Sequence, residues 1–426
     1  MLSQNFKFLP TKYVLFTVAT FTIYALLIFL SPPKIIYDEI YYIKIAQDFL
    51  VSKLSHEFIL NIFAPTGILY ALVYYLFYPL TQYQIPNVRF VSLFLLLASW
   101  IIIFLSLRIV HKQNSNLALL NSIPWLIFPT TGVISCIALT ELPAITFFLA
   151  SSFLLGIAYN HGNSRSQASS LLYLITSGVL LGLSTWGRQN FIVALVATVF
   201  IFLPINRKSI IYLLIYAIPA LLIFFYPVSI WHGLVPPSVG FVEKGYRFSN
   251  LILSLGYLGI FSMIIFPKFI LPKDKRTFLF LSLMSLVLVL IVPGLRYAPS
   301  QFLLESVLGN IITSIIAYFF GSLLFLISLL FIYAIYLQLK RIRQENNSNF
   351  AIYIYYSIAL LAICFSNIKI THQFSSRYIT LALPLLVYIV GSGDFLSKDK
   401  LVFYRFTFSL ILSIIFILNY YRFLPF

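Results

Sequence analysis

Two adjacent carboxylates, Asp38 and Glu39, stand in the stretch Tyr37-Asp38-Glu39-Ile40-Tyr41-Tyr42, just after the first apolar run of the chain. Ile43, Ala46, Phe49 and Leu50 follow at helical spacing, and Lys44 and Asp48 lie four apart on the other face. The segment therefore reads as an amphipathic helix lying at a membrane surface. Acids in the first turn of such a helix have two uses. They complement the helix dipole and cap free amides, or, beside a bilayer, they deprotonate a hydroxyl or hold a divalent metal.

Three further clusters carry polar chemistry between apolar runs. Thr140 and Glu141 split two such runs. A carboxylate at membrane depth is costly and calls for a polar cavity or a partner, although a plain hairpin turn explains the pair as well. Trp186-Gly187-Arg188-Gln189-Asn190 is either a polar helix break with a snorkelling arginine or a binding site for a phosphate or sugar, which a planar guanidinium and its amide neighbours suit. Near the end, His372, Gln373, Ser375, Ser376, Arg377 and Tyr378 precede a run containing Pro384, which puts a cation at a helix start, where anions are favoured. Lys244, Arg247 and Arg296 on other loops either join these as an anionic-ligand site or are solvated. His56 and His232 lack metal-ligand spacing, and no phosphate-binding loop, dinucleotide fingerprint or serine-triad motif is present.

The elements that must position these groups are membrane helices. The chain has 426 residues, 61% hydrophobic and 9% charged, against about a quarter charged in soluble domains. Its apolar residues arrive in about fourteen long runs, and a run of roughly 18 or more reads as a membrane helix. Such runs exclude a β-barrel, whose strands alternate. The fold class expected is an all-α polytopic integral membrane protein of about 13 transmembrane helices (roughly 12–14), with an amphipathic interfacial helix in the first outer loop. Residues 1–426 are read as one transmembrane domain in which 31–62 form that loop, and the first run as a retained helix rather than a cleaved signal. Cys136 and Cys364 fall in apolar runs and read as buried free thiols.

A net charge of +17 suggests nucleic acid in a soluble protein, but here it fits basic residues retained on the cytoplasmic side of membrane helices. Arg108, Lys112, Arg207, Lys208, 268–276, 340–343, Lys398 and Lys400 are expected on that face, with Lys7 and Lys12. For this to hold, one early segment, 63–80 or its neighbour, must be partial or re-entrant. Of the eleven acidic residues, Asp38, Glu39, Asp48, Glu57, Glu141, Glu243 and Glu305 then fall on the outer side. A polar site is expected to face outward.

Taken in order, the motifs resemble those of the polytopic glycosyltransferases that take sugars from polyprenyl-phosphate donors, the superfamily called fold type C. An acidic pair in the first outer loop is its hallmark. The dolichyl-phosphate-glucose alpha-1,2-glucosyltransferases are the nearest likeness. Their Met-Asp-Glu-Ile and Ala-Gln correspond to Tyr37-Asp38-Glu39-Ile40 with Ala46-Gln47, and their Pro-Pro-Gly-Leu-Tyr looks like Pro65-Thr66-Gly67-Ile68-Leu69-Tyr70. Their Thr-Asp and Arg-Gln-Thr-Asn correspond to Thr140-Glu141 and Arg188-Gln189-Asn190, with glutamate for aspartate and one threonine fewer. Arg377 and Tyr378 match the broader superfamily pattern.

The resemblance implies transfer of a hexose, with inversion, from a polyprenyl-phosphate donor to a lipid-linked or cell-envelope glycan on the extracytoplasmic side. Asp38 would be the base, with Glu39 or Glu141 as a metal ligand for Mg or Mn, second carboxylate or acceptor clamp. Arg188, Gln189, Asn190, Lys244, Arg247, His372, Arg377 and Tyr378 would hold the donor. Approximately 1–230 would be the catalytic module and 231–426 more variable helices. The implied membrane is the plasma (inner) membrane of a prokaryote or the endoplasmic reticulum of a eukaryote, and nucleic acid is not an expected partner. A lipid-linked sugar transporter or flippase and a polyprenyl-linked polymerase or ligase are the alternatives. Repeats and matched interrupted helices would mark the first, and cations in a large late outer loop the second.

Overall fold

The computed structural model describes residues 11–161, 167–239, 245–272, 274–295, 301–345, 348–370, 374–393, 395–397 and 399–422, with the side chains of 161, 167, 293 and 301–308 aside. Every regular element among them is helical. The first, α1 (Thr11–Phe29), stops short of Pro32 and Pro33, which cannot continue it. Next come α2 (Glu39–Ser52), α3 (His56–Asn61), α4 (Gly67–Leu76), α5 (Tyr78–Thr81) and α6 (Asn87–Leu105), the last prolonged by a π-helical turn to Val110. A bent pair follows, α7 (Ser115–Ile127) and α8 (Pro129–Cys136), turned by 69° where Pro129 restarts the helix. The bundle continues through α9 (Glu141–His161), α10 (Gln167–Gly187), α11 (Ala194–Thr198), α12 (Arg207–Trp231), α13 (Ser249–Ile265), α14 (Pro267–Ile270) and α15 (Lys275–Ile291). It closes with α16 (Gln301–Gln344), α17 (Phe350–Ser366), α18 (Leu383–Gly391) and α19 (Val402–Arg422). Within α16 the helix breaks at Gly309, whose φ of 75° suits glycine alone.

Eight of these described helices are long and apolar enough to cross a membrane, or nine if the bent pair counts as one span. That is fewer than the thirteen crossings expected from apolar runs. Four of the thirteen runs make up the difference: 251–266 and 277–293, whose helices α13 and α15 are each 17 residues long, and two runs that fold as short pieces. The run 63–80 yields only the 10-residue α4 and a single turn, so it is the partial early segment that the charge pattern requires. Run 191–204 becomes a 3-10 turn and α11, and run 379–390 a 3-10 turn and the 9-residue α18. Every residue of α8 and α18 is buried. Because α12 and α19 start at the end opposite to where α10 and α17 stop, the broken runs 191–204 and 379–390 both still carry the chain from one end of the bundle to the other. Outward faces are equally apolar: Leu222 of α12, Leu283 of α15, Ile311 of α16 and Phe408 of α19 are each more than half exposed. In water each would forgo about 1.5–3 kcal/mol of burial, a loss that lipid contact removes.

Chain direction sorts the charges. Lys12, Arg108, Lys112, Arg207, Lys208, Lys275, Arg276, Arg341 and Arg343 lie at one end of the helices. At the other end meet the last turns of α1, α10, α12, α17 and α19 and the first turns of α6, α9 and α13, with α2 and α3 packed across them. The expected amphipathic helix is α2, which buries Tyr42, Ile43, Ala46 and Phe49 and exposes Tyr41, Lys44, Gln47 and Asp48.

One buried ion pair holds that second end together. Glu39 and Arg89 are both fully buried, and Arg89 Nε and Nη2 donate to the two carboxylate oxygens of Glu39 at 2.9 and 2.7 Å. Each oxygen also accepts one backbone amide, from Ala138 at 2.9 Å and from Ile36 at 3.0 Å. Arg89 spends its remaining donors on Ser31 Oγ and the carbonyls of Pro32 and Lys34. Three segments, the 31–38 loop, the start of α6 and the 137–140 linker, are thus tied by one pair. Arg89→Ala strands a buried carboxylate and is expected to destabilise the fold by about 3–5 kcal/mol. Replacing both partners by leucine should recover part of that loss. The unfolding midpoint of the purified protein in detergent checks this, and an Arg89→Ala protein as stable as the wild type contradicts the pair's role.

Candidate active site

Asp38 and Glu39 are neighbours in sequence and part company in space. Asp38 occupies the N-cap position of α2, yet its side chain caps no amide; with a side chain 27% exposed it pairs instead with Arg377 Nη2. Glu39 faces inward, and its two oxygens are filled by Arg89 and two backbone amides. Neither acid is a helix cap. For Glu39, the expectation of a second catalytic carboxylate or metal ligand needs correction, because no acceptor position is left for either task.

Glu141 opens α9 and is fully buried. Arg188 Nη2 donates to its Oε1, and Arg377 Nε lies 3.6 Å from the same oxygen. The result is an alternating row, Asp38, Arg377, Glu141, Arg188. Tyr37 and Tyr378 flank it: the Arg377 guanidinium lies 4.9 Å from the Tyr37 ring centre and 5.6 Å from that of Tyr378, and Arg188 lies 5.9 Å from Tyr378. Burial disfavours the charge on Arg377, but the Glu141 and Asp38 carboxylates outweigh it and hold its pKa well above the usual arginine value. Arg188 is likewise opposed by burial and raised by Glu141. Both remain cations.

The row is not internally satisfied. Glu141 Oε2, Arg188 Nε, Arg377 Nε and Nη1, and Thr140 Oγ1 are buried without a hydrogen-bond partner. Buried polar groups in native proteins are nearly always paired, and a cluster of unpaired ones calls for a ligand or water. Unpaired donors on two cations and an unpaired acceptor on one carboxylate gather in this row, and Asp38 is the one carboxylate of the row with open access.

Local sequence explains the placement. Gly187 ends α10 in close contact with Ala144 and Leu69, where an added Cβ would approach them to 2.8 and 2.9 Å. Arg188 follows in an extended conformation before the 3-10 turn Gln189–Val193, which swings its side chain toward α9. Arg377 lies in the 3-10 turn Ser376–Leu381 that precedes α18. The expected donor-binding residues divide. Gln189 donates to the Leu234 carbonyl at 2.6 Å and Asn190 to Ser366 Oγ at 2.6 Å, so both amides fasten the helix break to neighbouring loops. Arg247 is exposed, and its backbone amide donates to Ile368. Lys244 and His372 lie outside the described residues, as do Arg296 and Gln373. Arg377, Tyr378 and Tyr420 come from the second half of the chain, so a division near residue 230 does not separate the site from the rest.

Sequence reasoning missed Arg89. A signal existed, since Arg89 directly precedes the apolar run beginning at Phe90, and a cation at the edge of such a run asks for a carboxylate. Among the described residues no group of three or more His, Cys, Asp and Glu side chains is placed to hold a metal ion.

No protein-family model matches the chain, and no curated protein matches it. In three dimensions it is similar to ArnT from Cupriavidus metallidurans in the apo state, at 12% identity and a TM-score of 0.42, covering 96% of this chain and 77% of that one. With ArnT bound to undecaprenyl phosphate the TM-score is 0.43 at 12% identity, covering 94% and 76%. The oligosaccharyltransferase of Archaeoglobus fulgidus in the apo form is similar at 14% identity and a TM-score of 0.34, with 88% of this chain and 56% of that one covered. The chain spans little more than half of that archaeal enzyme.

Accessibility distinguishes the three acids chemically. A water-soluble carbodiimide should modify Asp38 and leave Glu39 and Glu141 untouched, and Arg377→Ala should raise the yield at Asp38 several-fold. Peptide mapping by mass spectrometry checks both, and equal labelling of Glu39 and Asp38 contradicts the assignment.

Proposed function

We propose that this protein transfers a sugar from a polyprenyl-phosphate donor to a hydroxyl of a glycan acceptor, with Asp38 as general base. The observation that carries this reading is the row Asp38, Arg377, Glu141, Arg188, in which one carboxylate is accessible and two buried arginines keep unpaired N–H donors. A leaving phosphate needs cationic donors already in place where charge develops. A hydroxyl nucleophile needs a base within reach. Both are present side by side, and the order of Asp38, Glu141, Arg188 and Arg377 along the chain resembles that of fold type C glycosyltransferases.

In the reaction the acceptor oxygen bonds to the anomeric carbon as the bond from that carbon to the phosphate oxygen breaks. The bonding pair leaves on the phosphate, toward Arg188 and Arg377, and the hydroxyl proton passes to Asp38. A single displacement of this kind inverts the anomeric centre. Glu141 keeps the two arginines charged and positioned, and Glu39 positions Asp38 through Arg89. A divalent cation does not suit this donor set, because Glu39 is saturated and Asp38 and Glu141 each already face an arginine. The arginines take the electrostatic role that a metal would fill. The donor is expected to carry a hexose and the acceptor to be a lipid-linked or cell-envelope glycan. Because basic residues gather at the opposite end of the helices, the site is assigned to the extracytoplasmic or lumenal side.

Offering the purified protein a panel of polyprenyl-phosphate sugars, with released polyprenyl phosphate as the readout, tests the reading. Asp38→Asn should lower turnover by about 10²–10⁴-fold without changing expression or membrane insertion, and Arg188→Ala should raise the donor KM. Full activity in Asp38→Asn removes it as the base. If no donor is consumed and a lipid-linked sugar is instead moved across vesicles, the protein is a transporter.

A further inference from the structure

Beyond the charged row, α2 and α3 border a second polar feature, an open cavity of about 460 Å³, within the size range of small-molecule sites. Gln47, Asp48, Ser52, Glu57 and Asn61 line it, with Phe63 at its edge. None of those five polar side chains makes a hydrogen bond or ion pair with any described residue. All five are exposed, so what sets them apart is only that no other described side chain has taken them up. Of the described acids, Asp38, Glu39, Glu141, Asp274, Glu345 and Asp399 all have partners. Asp48 and Glu57 do not, and both face this one cavity.

The cavity and Asp38 share α2, Asp38 at its start and Asp48 further along. Tyr41 and Lys44, both exposed and lying between Asp38 and Asp48 in sequence, approach Phe63: the rings of Tyr41 and Phe63 lie 5.9 Å apart, and Lys44 Nζ is 5.7 Å from the Phe63 ring centre. Ten residues of helix separate Asp38 from Asp48, about 15 Å. One sugar ring cannot bridge that distance, whereas a short oligosaccharide can. The lining mixes two carboxylates, two amides and a hydroxyl, so it accepts and donates, as vicinal hydroxyls require. Phe63 supplies an apolar flank for a ring's C–H face. A bare cation is a poorer match, since no third acid or histidine joins Asp48 and Glu57.

We propose that this cavity binds the sugar units of the acceptor glycan that lie beyond the reacting hydroxyl; the proposal rests on the reading of Asp38 as the base. Acceptor length is then recognised on α2, away from the chemistry.

The test uses the full chain in nanodiscs, probed by saturation-transfer NMR with linear glucose and mannose oligosaccharides of increasing length. Wild-type binding should strengthen beyond the monosaccharide. Asp48→Asn combined with Glu57→Gln should weaken it at least tenfold, as should Ser52→Trp, which fills the exposed mouth, while undecaprenyl phosphate binding stays unchanged. Equal affinities in wild type and variants overturn the proposal, as does a wild type that binds no oligosaccharide. Calcium alone, or a lysine-rich peptide, binding in a manner that depends on Asp48 and Glu57 while oligosaccharides do not, overturns it too. If oligosaccharide binding depends on those residues but no polyprenyl-phosphate sugar is consumed, the cavity assignment stands and the transfer reading fails.

Discussion

The Glu39–Arg89 pair is the constraint from which the geometry of the charged end follows. A buried pair is a weak source of net stability, because two desolvated charges offset much of their own attraction. Its effect here is on position. Each oxygen of Glu39 is shared between Arg89 and one backbone amide, Ile36 on one side and Ala138 on the other. Ile36 lies two residues before Asp38 and Ala138 three residues before Glu141. A single side chain therefore sets the spacing between the two carboxylates that Arg377 bridges. Tyr421 reinforces the linker by donating to the Cys136 carbonyl at 3.1 Å, and Ser92 donates to that of Ile137 at 3.0 Å.

Helical geometry explains how neighbouring acids acquire different environments. Successive positions on an α-helix diverge by about 100°, so at the start of α2 one acid faces the bundle and the other its edge. Glu39 goes inside, where four donors await it, and Asp38 stays half-buried against Arg377. A longer side chain suits the inward position, since it must reach both the α6 arginine and the 137–140 linker. The shorter Asp38 keeps its carboxylate close to the backbone, where its reach is limited to Arg377 and to whatever enters from outside.

Much of this was legible in the sequence. The amphipathic period of α2, the basic character of one end and the need for one incomplete early segment follow from spacing and charge, and α4 is that segment. Helix lengths were not legible, because hydropathy cannot tell an apolar run that forms one long helix from one that folds as short buried pieces. Runs 191–204 and 379–390 break at 3-10 turns. Gln189 and Asn190 show the same limit: their amides suit a sugar, but only the fold shows that Leu234 and Ser366 take them up. Arg89 was hidden by its position just outside an apolar run, one residue from where a charge becomes conspicuous.

Charge alternation makes the site tolerable in so apolar a bundle. Two arginines and two carboxylates set in a row neutralise one another at close range, whereas any one of them alone would bear the full cost of desolvation. Neutrality does not mean saturation. Arg188 and Arg377 between them make only a few of the ten N–H bonds two guanidinium groups possess, since each holds five donors in a fixed fork. The donors left over are held in place by ion pairs and ring contacts already made, so a phosphate oxygen arriving among them orders nothing new. Under the transfer reading this is the physical advantage of building the phosphate site from paired arginines: Glu141 fixes their orientation in advance, and Asp38, held by Arg377 with its side chain partly exposed, stays open to the incoming hydroxyl.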